Sequence, residues 1–349
     1  MIKVEAICDS INPQGTRLIT MLLKYPKFLH QETLRHRTLY IHDCLYDPDF
    51  SFSVSSARAI PFSKLIDEVE SDELRASPLV WGAEQRGMSP GDELDPEAKQ
   101  VAQLWWKRAA LDASKNVRAM AKGQGLLEAM PWQIPHKSIV NRIIEPYIHV
   151  NCLTTGTTRG WMNFFGLRLD KAADPTLQIL AQEAWKIWNE SKPQLLQPDQ
   201  WHLPYIDEDE ILWLKDPYLE LSLQQKNNLF IKVSVARCAR LSYLSFETSK
   251  RSTIKEDLKL YDRLLGGPIK HVSPAEHQAT PDEPGIWSQD LKKFINNLDS
   301  SFNKEILKNS LPEFKHHYQS GNLGPGWRQY RKMLANESVA PLPLEYQTN

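Results

Sequence analysis

A cluster of cationic side chains and serine hydroxyls between residues 34 and 61 is the strongest chemical signal in the sequence. Arg35, His36 and Arg37 are consecutive, and Ser56 and Arg58 follow within the same stretch. Burying unpaired charge is costly, and a guanidinium presents a planar set of donors that suits phosphate oxygens. The cluster therefore predicts an anion site for a phosphorylated ligand, with a solvated basic turn as the alternative.

Several other chemistries lack their sequence signatures. The chain has no GxxxxGK[ST] phosphate loop, no GxGxxG dinucleotide fingerprint and no GxSxG nucleophile elbow. His271 and His277 flank Glu276 and could supply metal ligands, but HExxH and Cys/His clusters are missing. A structural or ligand-contacting histidine pair is therefore the preferred interpretation, and no metal site is expected.

Composition limits the class of protein. The 349 residues carry a formal net charge of -1, which gives no support for nucleic-acid binding. No apolar run approaches the ~20 residues of a membrane span, and the N-terminus lacks the apolar core of a signal peptide. The four cysteines contain no CxxC pair, so a reducing cytoplasm is expected.

Periodicity and capping signals predict a mixture of strands and helices. Asp95, Asp174 and Thr253 are the expected helix N-caps, the last in a capping box with Glu256. Strands are expected at residues 1–11, within 38–54 and at 231–245. Helices are expected at residues 16–29, 59–69, 97–121, 135–144, 159–168, 175–188 and 254–265, with a loop at 77–94.

Four fragments together resemble the flavin-dependent thymidylate synthase (ThyX) family, whose signature is RHR followed by NExSxR. The fragments are Arg35-His36-Arg37, Ser56-Ala57-Arg58, the helix face Arg159/Asn163/Arg168 and the loop from His271 to His277. In most of the family this loop precedes the triplet, whereas here it follows. The order resembles that of permuted, phage-type members, and permutation is tolerated where chain termini lie close together at the surface.

The resemblance implies an α+β fold with a mixed or antiparallel sheet flanked by long helices. Two ThyX-like parts, residues 1–192 and 229–349, would pack into one domain and be joined by a connector at 193–228. It further implies a homotetramer that holds FAD between subunits and methylates dUMP at C5 to give dTMP. Methylenetetrahydrofolate would supply the carbon and NADPH the reducing equivalents. A phage-encoded chain would work in the host cytoplasm, with no nucleic-acid or membrane partner.

The resemblance also assigns roles to individual residues. Ser56 and Arg168 are the expected catalytic residues, and charge-assisted hydrogen bonds from such groups suit the roughly two negative charges of a nucleotide monophosphate. The expected substrate-binding residues are Glu32, Arg35, Ser56, Arg58, Arg142 and Arg168. The expected flavin-binding residues are Arg35, His36, Arg37, Arg159, Asn163, His271, Ser273 and Glu276.

The sequence departs from the family pattern around the pyrimidine and the flavin. Ser53-Val54 stands where the family has Asn-Glu, and the gap between the triplet and Ser56 is longer and filled by residues 40–51. Glu32 replaces a glutamine, and Thr157 replaces the first residue of the NxR pair. The phosphate-binding arginines are retained. Two alternatives therefore stay open: another C5 modification such as hydroxymethylation, and an inactive nucleotide-binding relative.

Overall fold

The computed structural model describes most of the chain, with gaps. The described residues are 1–34, 37–39, 46–48, 50–56, 60–86, 90–123, 134–207, 210, 221–242, 252–282, 319–323 and 326–338. Residues 37–39, 46–48 and 242 are described by their backbone alone. In these ranges, no helix is both long enough and apolar enough to cross a lipid bilayer.

The described strands form one five-stranded sheet and two small two-stranded sheets. They are β1 (Lys3–Ile11), β2 (Arg17–Pro26), β3 (Arg37–Leu39), β4 (Tyr46–Pro48), β5 (Phe50–Val54), β6 (His149–Thr157), β7 (Gln194–Leu195), β8 (Ala279–Pro281) and β9 (Trp327–Gln329). The large sheet has the order β5-β6-β2-β1-β7. Its neighbours pair antiparallel except β7, which runs parallel to β1, so the sheet is mixed.

The described ranges include eight α-helices. They are α1 (His30–Thr33), α2 (Phe62–Glu70), α3 (Pro96–Ala121), α4 (Lys137–Val140), α5 (Thr158–Arg168), α6 (Pro175–Glu190), α7 (Leu223–Ala239) and α8 (Ile254–Leu265). The expected N-caps are confirmed, because the side chains of Asp95, Asp174 and Thr253 each accept a backbone N–H of the first turn. The predicted α+β class with a mixed sheet is likewise confirmed.

The two faces of the sheet differ in chemistry because side chains alternate along each strand. Strand β5 shows this directly, since Phe50 and Phe52 face one way and Ser51 and Ser53 the other. The apolar face packs on the aromatic side chains of α5 and on α6. The opposite face carries hydroxyl groups and is covered by residues that follow position 200, among them α7 and the 3-10 segment Ser273–Glu276.

Two secondary-structure predictions are wrong. The helix expected at 16–29 is strand β2, which is central in the sheet and buried on both faces, so its apolar run has no strand-like alternation. The strand expected at 231–245 is helical over its described part: α7 ends at Ala239 and a 3-10 turn follows at Arg240–Ser242. A capping box of Ser222 with Gln225 starts this helix and outweighs its β-branched residues.

Two further segments differ in extent from the predictions. The helix expected at 135–144 is the single turn α4 followed by a 3-10 segment, Asn141–Tyr147. The expected connector at 193–228 includes strand β7 and the first residues of α7, so the boundary at 228 lies inside a helix. The connector also contributes His202, whose backbone pairs with Ala279 of β8.

Candidate functional site

Several of the predicted site residues cannot be placed. Arg35, His36 and Arg58 lie outside the described residues, as does Cys44, the only thiol near the triplet. Arg37 begins strand β3, which pairs with β4, and its backbone alone is described. The geometry of the candidate site therefore rests on the residues that flank the triplet and the Ser-x-Arg fragment.

Glu32, Ser56 and Arg168 come to the same end of the sheet. Strand β2 ends beside the first residue of β6, and α1 with Glu32 follows it. Strand β5 also ends beside the early part of β6, where the Ser55 N–H donates to the Asn151 carbonyl at 2.8 Å, and Ser56 is the next residue. Arg168 ends α5 and donates from Nη2 to the Glu32 carbonyl oxygen at 3.3 Å. Three predicted substrate-binding residues thus lie at one end of the sheet.

Arg142 belongs to the same end of the sheet. It is exposed in the 3-10 segment that immediately precedes β6. The neighbouring Asn141 is buried and donates from Nδ2 to the Ile60 carbonyl at 3.1 Å, which fixes this segment to the chain that follows Ser56. The exposed guanidinium of Arg142 therefore projects from a fixed backbone.

Helix α5 presents the remaining predicted positions of its fragment. Its buried side, with Trp161, Phe164 and Phe165, packs on the apolar face of the sheet. Arg159 is exposed and Asn163 is half-buried, and both lie on the predicted helix, α5. Arg159 and Arg168 lie near opposite ends of α5, about 13 Å apart along the axis. The helix therefore spans from the Glu32 end of the sheet to its other end.

The loop His271–His277 packs on the hydroxyl-bearing face, opposite α5. His277 is fully buried and joins two strands: its Nδ1 is 2.8 Å from Thr155 Oγ1 of β6, and its Nε2 is 2.8 Å from Ser53 Oγ of β5. His271 and Ser273 are exposed at the other end of the loop. His277 thereby fixes the loop to Ser53, which lies three residues before Ser56. The loop and Ser56 are more than 200 residues apart in sequence.

Glu276 forms a buried ion pair that sequence reasoning did not assign. Its carboxylate accepts from the guanidinium of Arg331 and from Asn322 Nδ2, the latter at 3.3 Å. Burial raises the pKa of Glu276, and the charge of Arg331 offsets part of that rise. Arg331 also pairs with Glu337 at 2.7 Å. Glu276 is thus held by protein groups, whereas His271 and Ser273 face outward.

The two predicted sets of flavin residues lie on opposite faces of the sheet. Arg159 and Asn163 belong to α5, and His271 and Ser273 belong to the loop on the other face. Strand β5, which separates them, is an edge strand. One bound molecule therefore reaches both sets by passing around the edge of β5 or around the ends of the strands, and not through the sheet.

A row of buried hydroxyls and imidazoles crosses the hydroxyl-bearing face, and we call it the hydroxyl–imidazole row. In spatial order it runs from Ser10 through His202, Thr20, Thr155 and His277 to Ser53. Burial lowers the pKa of His277 to about 3, and burial together with the charge of His277 lowers the pKa of His202 to about 3. Both rings are therefore neutral at physiological pH. Sequence reasoning assigned no role to His202, which no periodic pattern marks.

Thiol and metal chemistry find no support in the described part of the chain. Burial raises the pKa of Cys8 to about 12 and that of Cys152 to about 11, and it also raises the pKa of Cys238. Thiolates are disfavoured at all three positions. Among the described residues, no group of three or more His, Cys, Asp or Glu side chains is placed to hold a metal ion.

Comparison with known proteins gives a limited result. No protein-family model and no curated protein matches the sequence. A structure of the UMP/dUMP methylase PolB from Streptomyces cacaoi bound with 5-Br UMP is similar over 54% of this chain and 89% of that chain, with 15% identity and a TM-score of 0.39. A structure of the same methylase with 5-Br dUMP covers 54% and 90%, with 17% identity and a TM-score of 0.37. At these values the similarity establishes neither a shared fold nor a shared function.

Proposed function

We propose that this protein is a flavin-dependent enzyme that methylates dUMP at C5 to give dTMP. The observation that carries the proposal is the convergence of Glu32, Ser56 and Arg168 at one end of the sheet, with Arg168 bonded to the Glu32 carbonyl. Ser56 and Arg168 belong to two fragments of the ThyX-like pattern, and Glu32 lies three residues before a third. Their convergence in space is what a shared nucleotide site requires.

The nucleotide would bind at this end of the sheet. The Ser56 hydroxyl and the Arg168 guanidinium can donate to phosphate oxygens, and Arg35 and Arg58 adjoin them in sequence. Arg142 is exposed on a fixed segment, and the ThyX-like pattern assigns it to the nucleotide of a neighbouring copy in a homotetramer. Pairing of the phosphate with several guanidinium groups would orient the pyrimidine and exclude water around it.

The exposed donors of the chain suit FAD. Arg159 lies in the first turn of α5, where a cation and the N-terminal backbone N–H groups both favour an anion such as a pyrophosphate. His271 and Ser273 add an imidazole and a hydroxyl on the other face. When bound, FAD would carry the reducing equivalents from NADPH, and methylenetetrahydrofolate would supply the carbon. The opposite placement of the two donor sets supports a flavin held between subunits.

The test is product analysis with the purified protein. We expect a yellow protein that converts dUMP, methylenetetrahydrofolate and NADPH into a nucleotide with the mass of dTMP. A product heavier by one oxygen would instead identify hydroxymethyl transfer, the second candidate, which the replacement of Asn-Glu by Ser53-Val54 favours. A colourless protein that leaves dUMP unchanged and does not bind it would refute the proposal.

A substitution tests the residues. Arg58→Ala should weaken dUMP binding by roughly 1.5–3 kcal/mol, the value of a hydrogen bond to a charged group. The matched control is Arg108→Ala, whose exposed guanidinium on α3 pairs with Asp112 one turn away. Calorimetric titration of dUMP should show no change for the control. Equal affinities in both variants would remove Arg58 from the site.

A further inference from the structure

The hydroxyl–imidazole row is a continuous chain of hydrogen bonds through the protein interior. Ser10 Oγ lies 2.9 Å from His202 Nδ1, with Cys8 Sγ at 3.4 Å from the same nitrogen. His202 Nε2 lies 2.8 Å from Thr20 Oγ1, which is 2.6 Å from Thr155 Oγ1. The chain continues through His277 to Ser53 with two further distances of 2.8 Å. It crosses three spacings between neighbouring strands, about 14 Å.

The number of hydrogens restricts how this chain can be arranged. Each hydroxyl has one hydrogen to donate, and a neutral imidazole carries a hydrogen on one ring nitrogen only. If His277 has its hydrogen on Nε2, it donates to Ser53, so its Nδ1 must accept from Thr155. Thr155 then accepts from Thr20, which must itself accept from His202 Nε2. If His277 instead has its hydrogen on Nδ1, every donor and acceptor in the row is reversed. This second arrangement has hydrogens on both Nδ1 atoms.

Mixed arrangements are unfavourable. If the two rings carry their hydrogens on different nitrogens, either two lone pairs meet across the contact between Thr20 and Thr155, or one of those hydroxyl hydrogens has no acceptor. Both threonine side chains are fully buried, as are both imidazoles, so water cannot replace the missing bond. An unsatisfied polar group in such an interior is strongly disfavoured.

We propose that His202 and His277 form a coupled tautomer pair, which the hydroxyl–imidazole row holds in the same tautomer and switches only as a unit. The row thereby links strand β1 to the end of β5. With hydrogens on Nε2, the Ser53 hydroxyl accepts from His277 and can donate its own hydrogen elsewhere. With hydrogens on Nδ1, Ser53 donates to His277 and offers only lone pairs to other groups.

This coupling has a consequence that rests on the proposed function. Ser53 lies three residues before Ser56, in a place where the ThyX-like pattern has an asparagine. An asparagine side chain can donate and accept together, whereas Ser53 has one hydrogen, and the row decides where it points. The tautomer of His202, on the far side of the row, would therefore set whether this position acts as a donor or as an acceptor.

The test is the 15N spectrum of histidine-labelled protein without ligands, because the nitrogen shift distinguishes protonated from unprotonated ring positions. His202→Asn and His277→Asn spectra assign the two rings. Ser53→Ala removes the acceptor of His277 Nε2–H and favours hydrogens on Nδ1. Ser10→Ala removes the oxygen acceptor of His202 Nδ1–H, leaves only the weak acceptor Cys8 Sγ, and so favours hydrogens on Nε2. If the wild type has its hydrogens on Nε2, Ser53→Ala should move the hydrogen to Nδ1 in both rings. If the wild type has them on Nδ1, Ser10→Ala should move the hydrogen to Nε2 in both rings.

The matched control is Ser51→Ala. Ser51 lies on the same strand and face as Ser53, but it bonds to Gln329 at 2.9 Å and contacts neither imidazole in the row. It should leave both tautomers unchanged. Thr20→Val removes the hydroxyl that joins His202 to Thr155. When Thr20→Val is combined with the variant that switches both rings, only the imidazole next to the substituted serine should change its tautomer.

Three outcomes would overturn the proposal: different tautomers in the wild type, a switch confined to the nearer ring, or transmission that survives Thr20→Val. Urea unfolding of each variant checks that it is folded before its spectrum is interpreted. Since no nucleotide or cofactor is present, failure of this test would say nothing about catalysis. A failed product assay would equally leave the coupled pair intact.

Discussion

Replacement of Arg331 by methionine should destabilise the protein by leaving Glu276 charged and without its cation. Breaking a buried ion pair from one side costs about 3–5 kcal/mol, because a desolvated charge remains. Here the Arg331 side chain is 25% exposed and the Glu276 side chain 10%, and Asn322 still donates to the carboxylate. We therefore expect a loss of about 2–3 kcal/mol in the free energy of unfolding, below the range for full burial.

Urea unfolding of Arg331→Met, Glu276→Gln and the double variant measures this pair. The double variant should lose about 1–2 kcal/mol less than the sum of the single variants, because Arg331→Met strands the Glu276 carboxylate that Glu276→Gln neutralises. Arg331 keeps its pair with Glu337 in Glu276→Gln. Arg108→Met provides the control: its pair with Asp112 is exposed on both sides, and its loss should cost under about 1 kcal/mol. If the two single losses simply add, Glu276 does not depend on Arg331 for its charge and the reasoning fails.

The remaining predictions concern pH and packing. Because the pKa values of His202 and His277 fall to about 3 in the fold from an ordinary 6.5, the unfolded chain binds protons first. The free energy of unfolding should be highest above about pH 6.5. It should fall by about 1.4 kcal/mol per pH unit for each ring as the pH drops towards about 3. Urea unfolding that gives the same free energy at every pH in this range would contradict the prediction. Gly156→Ala should cost about 1–3 kcal/mol, because its Cβ would lie 2.5 Å from Phe50 Cδ1. Gly166→Ala, with nothing within 4 Å on the outer side of α5, should instead gain about 0.5–1 kcal/mol in thermal unfolding; losses of equal size in both would exclude the packing explanation.

Local signals in the sequence predicted the starts of three helices correctly. Asp95, Asp174 and Thr253 each mark a helix start because a short polar side chain can accept an orphan N–H of the first turn. Such a signal needs only neighbouring residues. The centre of the sheet was harder: β2 is buried on both faces, so its apolar residues follow no period of two, and three-dimensional surroundings decide its structure.

The sequence predicted which fragments contribute residues to the candidate site, but it did not predict how those fragments are arranged in space. The resemblance grouped Ser56, Arg168 and Glu32, but nothing local shows that β2 and β5 end beside the start of β6. The partners of the loop were equally hidden. Nothing in the sequence assigns Glu276 as the partner of Arg331, and nothing in it assigns His202 a place between two strands of the sheet.

Strand β5 depends on residues that are synthesised long after it. Its serines bond to His277, 224 residues later, and to Gln329, 278 residues later than Ser51. A shift of one residue against β6 would turn Phe50 and Phe52 towards the imidazoles and the serines into the aromatic layer. The hydrogen bonds to His277 and Gln329 disfavour the shifted register. Neither residue has been synthesised when β5 and β6 leave the ribosome. The correct alignment of this edge is thus secured only after residues 277 and 329 have been synthesised.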